Sequence, residues 1–124
     1  MYVARFTNSY GQLAPGKLYP QHKGCYNGCC WRELWSSTYE VLTHPVWEQA
    51  LKWVPTTGST PPTGAVHGGV RSDCNHEIIY ICRGYVNGSL VPGKFHSGCG
   101  ALLPYGGKEH HVSSCEVLVW TPYG

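Results

Sequence analysis

The chain has 124 residues, enough for one domain with a buried core. Charged residues make up 13% and hydrophobic residues 42%, a sparsely charged globular composition that excludes disorder. A net charge of +2, with no run of like charges, is too weak and scattered for a phosphate-tracking groove and argues against nucleic acid. No apolar stretch approaches the ~18 residues of a membrane span.

The first residues, Met1 to Arg5, lack the charged-then-apolar pattern of a signal peptide. That predicts a cytoplasmic protein, with release by a non-classical route as the alternative. Tyr2-Val3-Ala4-Arg5 opens a short strand, and Ser9-Tyr10-Gly11 reads as a hairpin turn. Pro15-Gly16 predicts a turn of fixed geometry just before Lys17. From Pro45 to Trp53, with Thr43 as a cap, runs a segment of under three turns that fits a helix or a strand. Trp53-Val54-Pro55 and a Gly/Thr/Pro-rich stretch lead to Ala65-Val66-His67-Gly68-Gly69 and Asp73. Ile78 to Cys82 and Glu116 to Trp120 are β-branched and aromatic runs bounded by turn residues. Asn87-Gly88 is a strong hairpin signal, and Pro92-Gly93 predicts a second turn just before Lys94.

These pieces repeat. Tyr2-Val3-Ala4-Arg5 is echoed by Tyr80-Ile81-Cys82-Arg83, and Gly11 to Lys17 by Gly88 to Lys94. Gly24-Cys25 matches Gly98-Cys99, Glu33 matches Glu109, and Glu40-Val41-Leu42 matches Glu116-Val117-Leu118. The chain is a duplication read as one domain, 1–124. Its first motif spans 2–42 and lacks a leader, the connector is 43–52, and the second motif spans 53–119. Many short strands with turn signals predict an all-β fold, a compact sandwich or barrel-like domain of two tandem, pseudo-symmetric motifs.

Seven cysteines leave at least one thiol unpaired. No Cys-x-x-Cys occurs, and the lack of an export signal favours free thiols over a disulfide framework. Cys25 and Cys99, as matched positions, are expected to be small buried hydrophobes. His22, Cys25, Cys29, Cys30, Cys74, His76, His96, Cys99, His110 and His111 offer zinc donors if loops converge, which keeps a zinc-stabilised structural domain as an alternative. No Asp/Asn-rich loop supplies the oxygen cage of calcium. Glu33 and Glu109 could pair as acid and base, but carboxylates accepting backbone N–H groups in a turn is the plainer reading. No nucleophile–base constellation is encoded, so the chain is not read as an enzyme.

The spaced motifs Trp53-Val54, Ala65-Val66, Gly68-Gly69, Tyr80 to Arg83, Pro92-Gly93-Lys94, Tyr105 to Glu109 and Glu116 to Leu118 resemble the DM-nine repeat proteins of invertebrates. The resemblance covers 53–119 closely and 2–42 more weakly. It implies two motifs folded into one β-domain and a metal-independent lectin recognising mannose, active in innate recognition of microbial surfaces. It carries an aspartate and the lysine of Pro-Gly-Lys onto Asp73 and Lys94 as sugar-holding residues, with Lys17 marking a weaker second site. Three departures stand out. Lys17 has no upstream aspartate, Cys29-Cys30-Trp31-Arg32-Glu33 replaces the Gly-Gly-x-Glu element and keeps only its glutamate, and Cys115 stands where Tyr39 and the family carry tyrosine.

The residues themselves are compatible with that. A neutral sugar needs a charged acceptor, a charged donor and an aromatic wall; Asp73 is the sole aspartate, and nine tyrosines and five tryptophans are present. The plainer readings are a turn-former for Asp73 and solvated surface charges for both lysines. The rival function is a non-catalytic protein-interaction or pore-forming-partner module. Because the first motif lacks a leader, one sheet edge is expected to be left short and covered by a second copy in a homodimer.

Overall fold

The computed structural model describes residues 1–43, 50–71 and 77–123. Runs of β-branched and aromatic residues become strands wherever a left-handed turn residue stops them. Asn87 (φ 49°) and Gly88 (φ 79°) form the two-residue turn between β8 (Ile78–Val86) and β9 (Ser89–His96), the twist that suits a hairpin. Gly11 (φ 78°) does the same work between β1 (Tyr2–Thr7) and β2 (Gln12–Tyr19), helped by Asn8, whose Oδ1 accepts from the Tyr10 N–H at 3.0 Å.

The remaining strands are β3 (Gly24–Cys29), β4 (Arg32–Ser36), β5 (Glu40–Val41), β6 (Leu51–Thr57), β7 (His67–Arg71), β10 (Gly100–Tyr105), β11 (Lys108–Val112) and β12 (Ser114–Trp120). Their pairings are antiparallel. Following neighbours from β2 through β3, β4, β11, β10, β9, β8 and β7 returns to β2. That circuit is an eight-stranded barrel, so these strands have no open edge. The strands β1 and β5 branch off β2, and β12 and β6 branch off β8. No helix among the described residues is long and apolar enough to cross a membrane.

The duplication is visible as a pseudo-two-fold relation, and the structure corrects its register. Lys17 pairs with Tyr26 and Leu18 with Cys25, whereas Lys94 pairs with Leu102 and Phe95 with Ala101. The counterpart of Gly24-Cys25 is therefore Gly100-Ala101. Gly98-Cys99 belongs to the turn before it, and Cys99 is exposed while Cys25 is buried. The expectation that both cysteines are buried holds for Cys25 alone.

Pro-Gly is also not a turn. Pro15-Gly16 and Pro92-Gly93 lie in the middle of β2 and β9, opposite Arg5 and Arg83. The glycine is required by close approach: a Cβ on Gly16 would stand 1.9 Å from the Tyr26 carbonyl oxygen, and one on Gly93 2.4 Å from that of Leu102. Of the segment from Pro45 to Trp53, Leu51 onward is strand β6, while residues 45–49 lie outside the described residues.

The two halves pack equivalent cores with different side chains. Ala4, Phe6, Leu18 and Cys25 form one; Cys82, Val91, Phe95, Ala101, Leu103 and Val117 anchor the other. Where the second half has Leu103 over Gly84, the first has the buried Asn27 beside Phe6. The Asn27 amide donates to the Phe6 and Ala14 carbonyls at 3.0 and 3.2 Å, so its burial is compensated. Where the first half pairs Ala4 with Tyr39, the second has Cys82 and Cys115, whose thiols share a hydrogen bond. The repeated arginine and glutamate also meet, as Arg5–Glu40 (3.0 Å) and Arg83–Glu116 (2.8 Å).

The opening segment of the second motif does two jobs. Strand β6 pairs along β12 from Ser114 to Trp120, with Trp53 stacked 4.3 Å from the Arg83 guanidinium. Strand β7 closes the barrel by pairing with both β2 and β8. Closure depends on Gly69, where a Cβ would stand 1.7 Å from the Leu13 carbonyl oxygen. Gly69→Ala should cost about 3 kcal/mol in urea unfolding, as overpacking at a rigid contact. Gly58→Ala, with open space around it, should cost only about 1 kcal/mol for its left-handed backbone. Equal losses would show that closure does not rest on this contact.

Candidate functional site

Both repeated lysines are inside the protein, not on its surface. Lys17 and Lys94 are 7% and 6% exposed. An ammonium removed from water needs compensating acceptors, and each finds the repeated glutamate of its own half. Lys17 Nζ lies 3.0 Å from Glu33 Oε2, and Lys94 Nζ lies 3.2 Å from Glu109 Oε2. The carboxylates are held across the pseudo-two-fold. The Glu33 N–H donates to the Gly107 carbonyl at 3.1 Å, and the Glu109 N–H donates to the Trp31 carbonyl at 3.0 Å. Glu33 Oε1 also accepts from the Gly107 N–H at 2.9 Å, which is the turn role read from sequence.

The surroundings of the two ammonium groups differ. Lys17 sits over the faces of Tyr26 and Tyr105, 5.3 and 4.9 Å from the ring centres, a cation–π environment. Lys94 instead donates to Gln12 Oε1 at 3.0 Å and to the Gly28 carbonyl at 2.9 Å. Both acceptors belong to the first motif, so Lys94 ties the halves together.

A cleft of about 520 Å³ opens above Lys94, bordered by Gln12, Trp31, Arg71, His96 and Glu109 among others. The Glu109 oxygen nearest the ammonium has no hydrogen bond among the described residues. It is buried against the ammonium, to which it is bound as an ion pair. Lys94 has three donors and uses two on Gln12 and Gly28. The buried ion pair of Lys94 and Glu109 thus floors the cleft, with one ammonium donor not engaged by a hydrogen bond to Gln12 or Gly28. His96 pairs with Glu77 on the cleft wall. Burial pushes its imidazole below the ordinary range, Glu77 pulls it up, and Arg71 and Lys94 add to the lowering.

The rim carries a strained turn. Cys30 (φ 59°) and Trp31 (φ 69°) adopt the left-handed conformation that Gly106 (φ 63°) and Gly107 (φ 82°) adopt at the related turn. For side chains this costs about 1–2 kcal/mol per residue. Burial pushes the neighbouring Cys29 thiol up to about 12, helped by the hydrogen bond its S–H shares with Cys30, so it stays protonated at neutral pH.

Of the residues singled out in the sequence, Lys94 lines this cleft, and Lys17 occupies the related position under its two tyrosines. Asp73 lies outside the described residues, two positions beyond Arg71. Cys74 and His76 are also outside them. Among the described residues no group of three or more His, Cys, Asp or Glu side chains is placed to hold a metal ion. Sequence reasoning missed Gln12, which recurs as Ser89 in the second half and carries no motif. It also read Cys30-Trp31 only as a departure from a pattern.

A buried lysine–glutamate pair repeated in both halves, each locked by the other half's turn, is the fingerprint of a tandem repeat. The profile of the DM9 repeat matches residues 1–112 and again 73–123. The chain belongs to the DM9 repeat family. No curated protein matches the chain. DM9 repeats form binding modules rather than catalytic domains, which accords with a lectin-like or interaction module. In this DM9 chain the repeated Lys and Glu are first of all a buried electrostatic tie. Lys94→Ala strands the Glu109 carboxylate and should cost about 3–5 kcal/mol. Lys94→Met combined with Glu109→Leu should recover most of that in chemical denaturation. A double variant no more stable than Lys94→Ala would show that the pair is not coupled.

Proposed function

We propose that this DM9 chain is a carbohydrate-binding module that takes mannose-type sugars in the Lys94 cleft without a metal, in the recognition of microbial surfaces. The observation that carries the reading is the cleft floor, where the Lys94 ammonium keeps one donor outside its hydrogen bonds to Gln12 and Gly28. A pyranose hydroxyl can accept from that donor in a charge-assisted bond while a neighbouring hydroxyl donates to a further acceptor. Because Gln12, Gly28 and Glu109 already hold the ammonium, little ordering is left to do on binding. Asp73 is the further acceptor in this proposal, and Lys17, between its tyrosines, marks a second and weaker site.

Calorimetry with D-mannose tests this. Asp73→Ala should weaken binding by tenfold or more, from the roughly 1.5–3 kcal/mol of a charged hydrogen bond. Excess EDTA should leave the affinity unchanged. Loss of binding on chelation, restored by zinc or calcium, would overturn metal independence. A wild-type chain that binds no mannose would favour the interaction-module reading.

The same proposal includes self-association. Among the described residues β5 pairs only with β1. Met1, Tyr2, Val41 and Leu42 are exposed around it, where the second half has β6 as cover. A homodimer that buries this edge should sediment as a dimer at micromolar concentration, and Val41→Lys should shift it to monomer. A wild-type monomer would remove the dimer.

A further inference from the structure

The Cys30-Trp31 turn is unfavourable for the free protein in two respects. Two residues with side chains occupy left-handed positions held by glycine at the related turn. The Trp31 indole is 68% exposed. The turn is also fixed rigidly, because the Trp31 carbonyl accepts the Glu109 N–H at 3.0 Å. Yet this side chain borders the same cleft as Lys94, Gln12 and Glu109. Strain and apolar exposure that coincide at a cleft point to a contact made only with a ligand.

We propose that Trp31 is the stacking wall of the Lys94 cleft and that it gives the cleft a preference for β-mannosides over α-mannosides. This rests on the carbohydrate reading above. A pyranose stacks on an indole through a face made of C–H groups, while its hydroxyls reach the polar groups at the ring edge. In mannose the axial 2-hydroxyl occupies one face in both anomers. In a β-mannoside the opposite face presents three axial C–H bonds, at C1, C3 and C5. In an α-mannoside the axial glycosidic oxygen replaces the C1 hydrogen on that face, so neither face is flat. Of the two anomers, the β form is the one that lies flat on Trp31 while an edge hydroxyl meets the Lys94 ammonium. The Gly106-Gly107 turn has no ring to offer, so the wall is a property of the Lys94 cleft alone.

Titration calorimetry with methyl β-D-mannopyranoside and methyl α-D-mannopyranoside tests the wall on the wild-type chain, Trp31→Gly and Trp31→Ala. The wild-type chain should bind the β-anomer about fivefold or more tightly than the α-anomer, and both variants should lose about tenfold for the β-anomer. Both should also become indifferent to the anomer. Trp31→Gly restores the sister turn and should melt at or above the wild-type temperature, which separates loss of the ring from loss of the fold. Trp31→Ala keeps the left-handed strain and should melt below Trp31→Gly. Undiminished β-mannoside binding by folded Trp31→Gly overturns the wall and leaves the carbohydrate reading intact. An α-anomer bound as tightly as the β-anomer by the wild-type chain does the same. A wild-type chain that binds neither mannoside overturns the carbohydrate reading, and the wall with it.

Discussion

Two ammonium groups have been taken out of water, and the architecture follows from keeping them compensated. A lysine with almost no solvent access is tolerated only if a carboxylate is delivered to it with its own backbone fixed. Each half supplies its own glutamate, but the other half fixes that glutamate's strand. Glu33 is bound to the turn at Gly107, and Glu109 to the turn at Trp31. Lys94 adds two further bonds that cross from the second half into β2 and β3. Neither half can satisfy its buried charges alone, so the motifs fold as partners in one closed barrel. Strand β7, from the opening segment of the second motif, completes that closure.

The scaffold is symmetric in its charges and asymmetric in its walls. The Lys17 ammonium faces Tyr26 and Tyr105; at the related positions around Lys94 stand Leu102 and Cys29, with Gln12 supplying an oxygen instead. One environment is aromatic and holds its cation by quadrupole attraction; the other is polar and opens into a cleft. A duplication with one buried pair in each half can therefore carry two unlike sites. The chemistry of each is decided by neighbours that belong to no repeated motif.

Much of this was legible in the residues. The duplication and the all-β fold followed from repeated runs and turn residues, because strand propensity and hairpin signals such as Asn87-Gly88 are local. The family resemblance rested on the same spaced motifs, and the DM9 profile bears it out. What the sequence hid was non-local. Pro-Gly ahead of each lysine reads as a turn by propensity. In fact the proline is mid-strand, and the glycine is there because a carbonyl of the neighbouring strand comes too close for a Cβ. Gly98-Cys99 matched Gly24-Cys25 in letters, but pairing with β9 assigns that position to Gly100-Ala101. The burial of the lysines was hidden because acceptors such as Gln12 and Gly28 come to Lys94 from strands distant in sequence. Asp73 was singled out by resemblance and lies outside the described residues.

The two cores have diverged in complementary pairs, and this bears on how such a gene can change. The Asn27 amide serves the Phe6 and Ala14 carbonyls, while its counterpart Leu103 packs against Gly84, a position that is Phe6 in the first half. Gene conversion that copied Leu into position 27 would strip two carbonyls of a donor and press a branched side chain toward a phenylalanine. Copying Asn into position 103 would bury an amide inside an apolar core. Each half has become a poor template for repairing the other. The duplication is thereby protected from homogenisation, and its two lysine environments are free to drift apart.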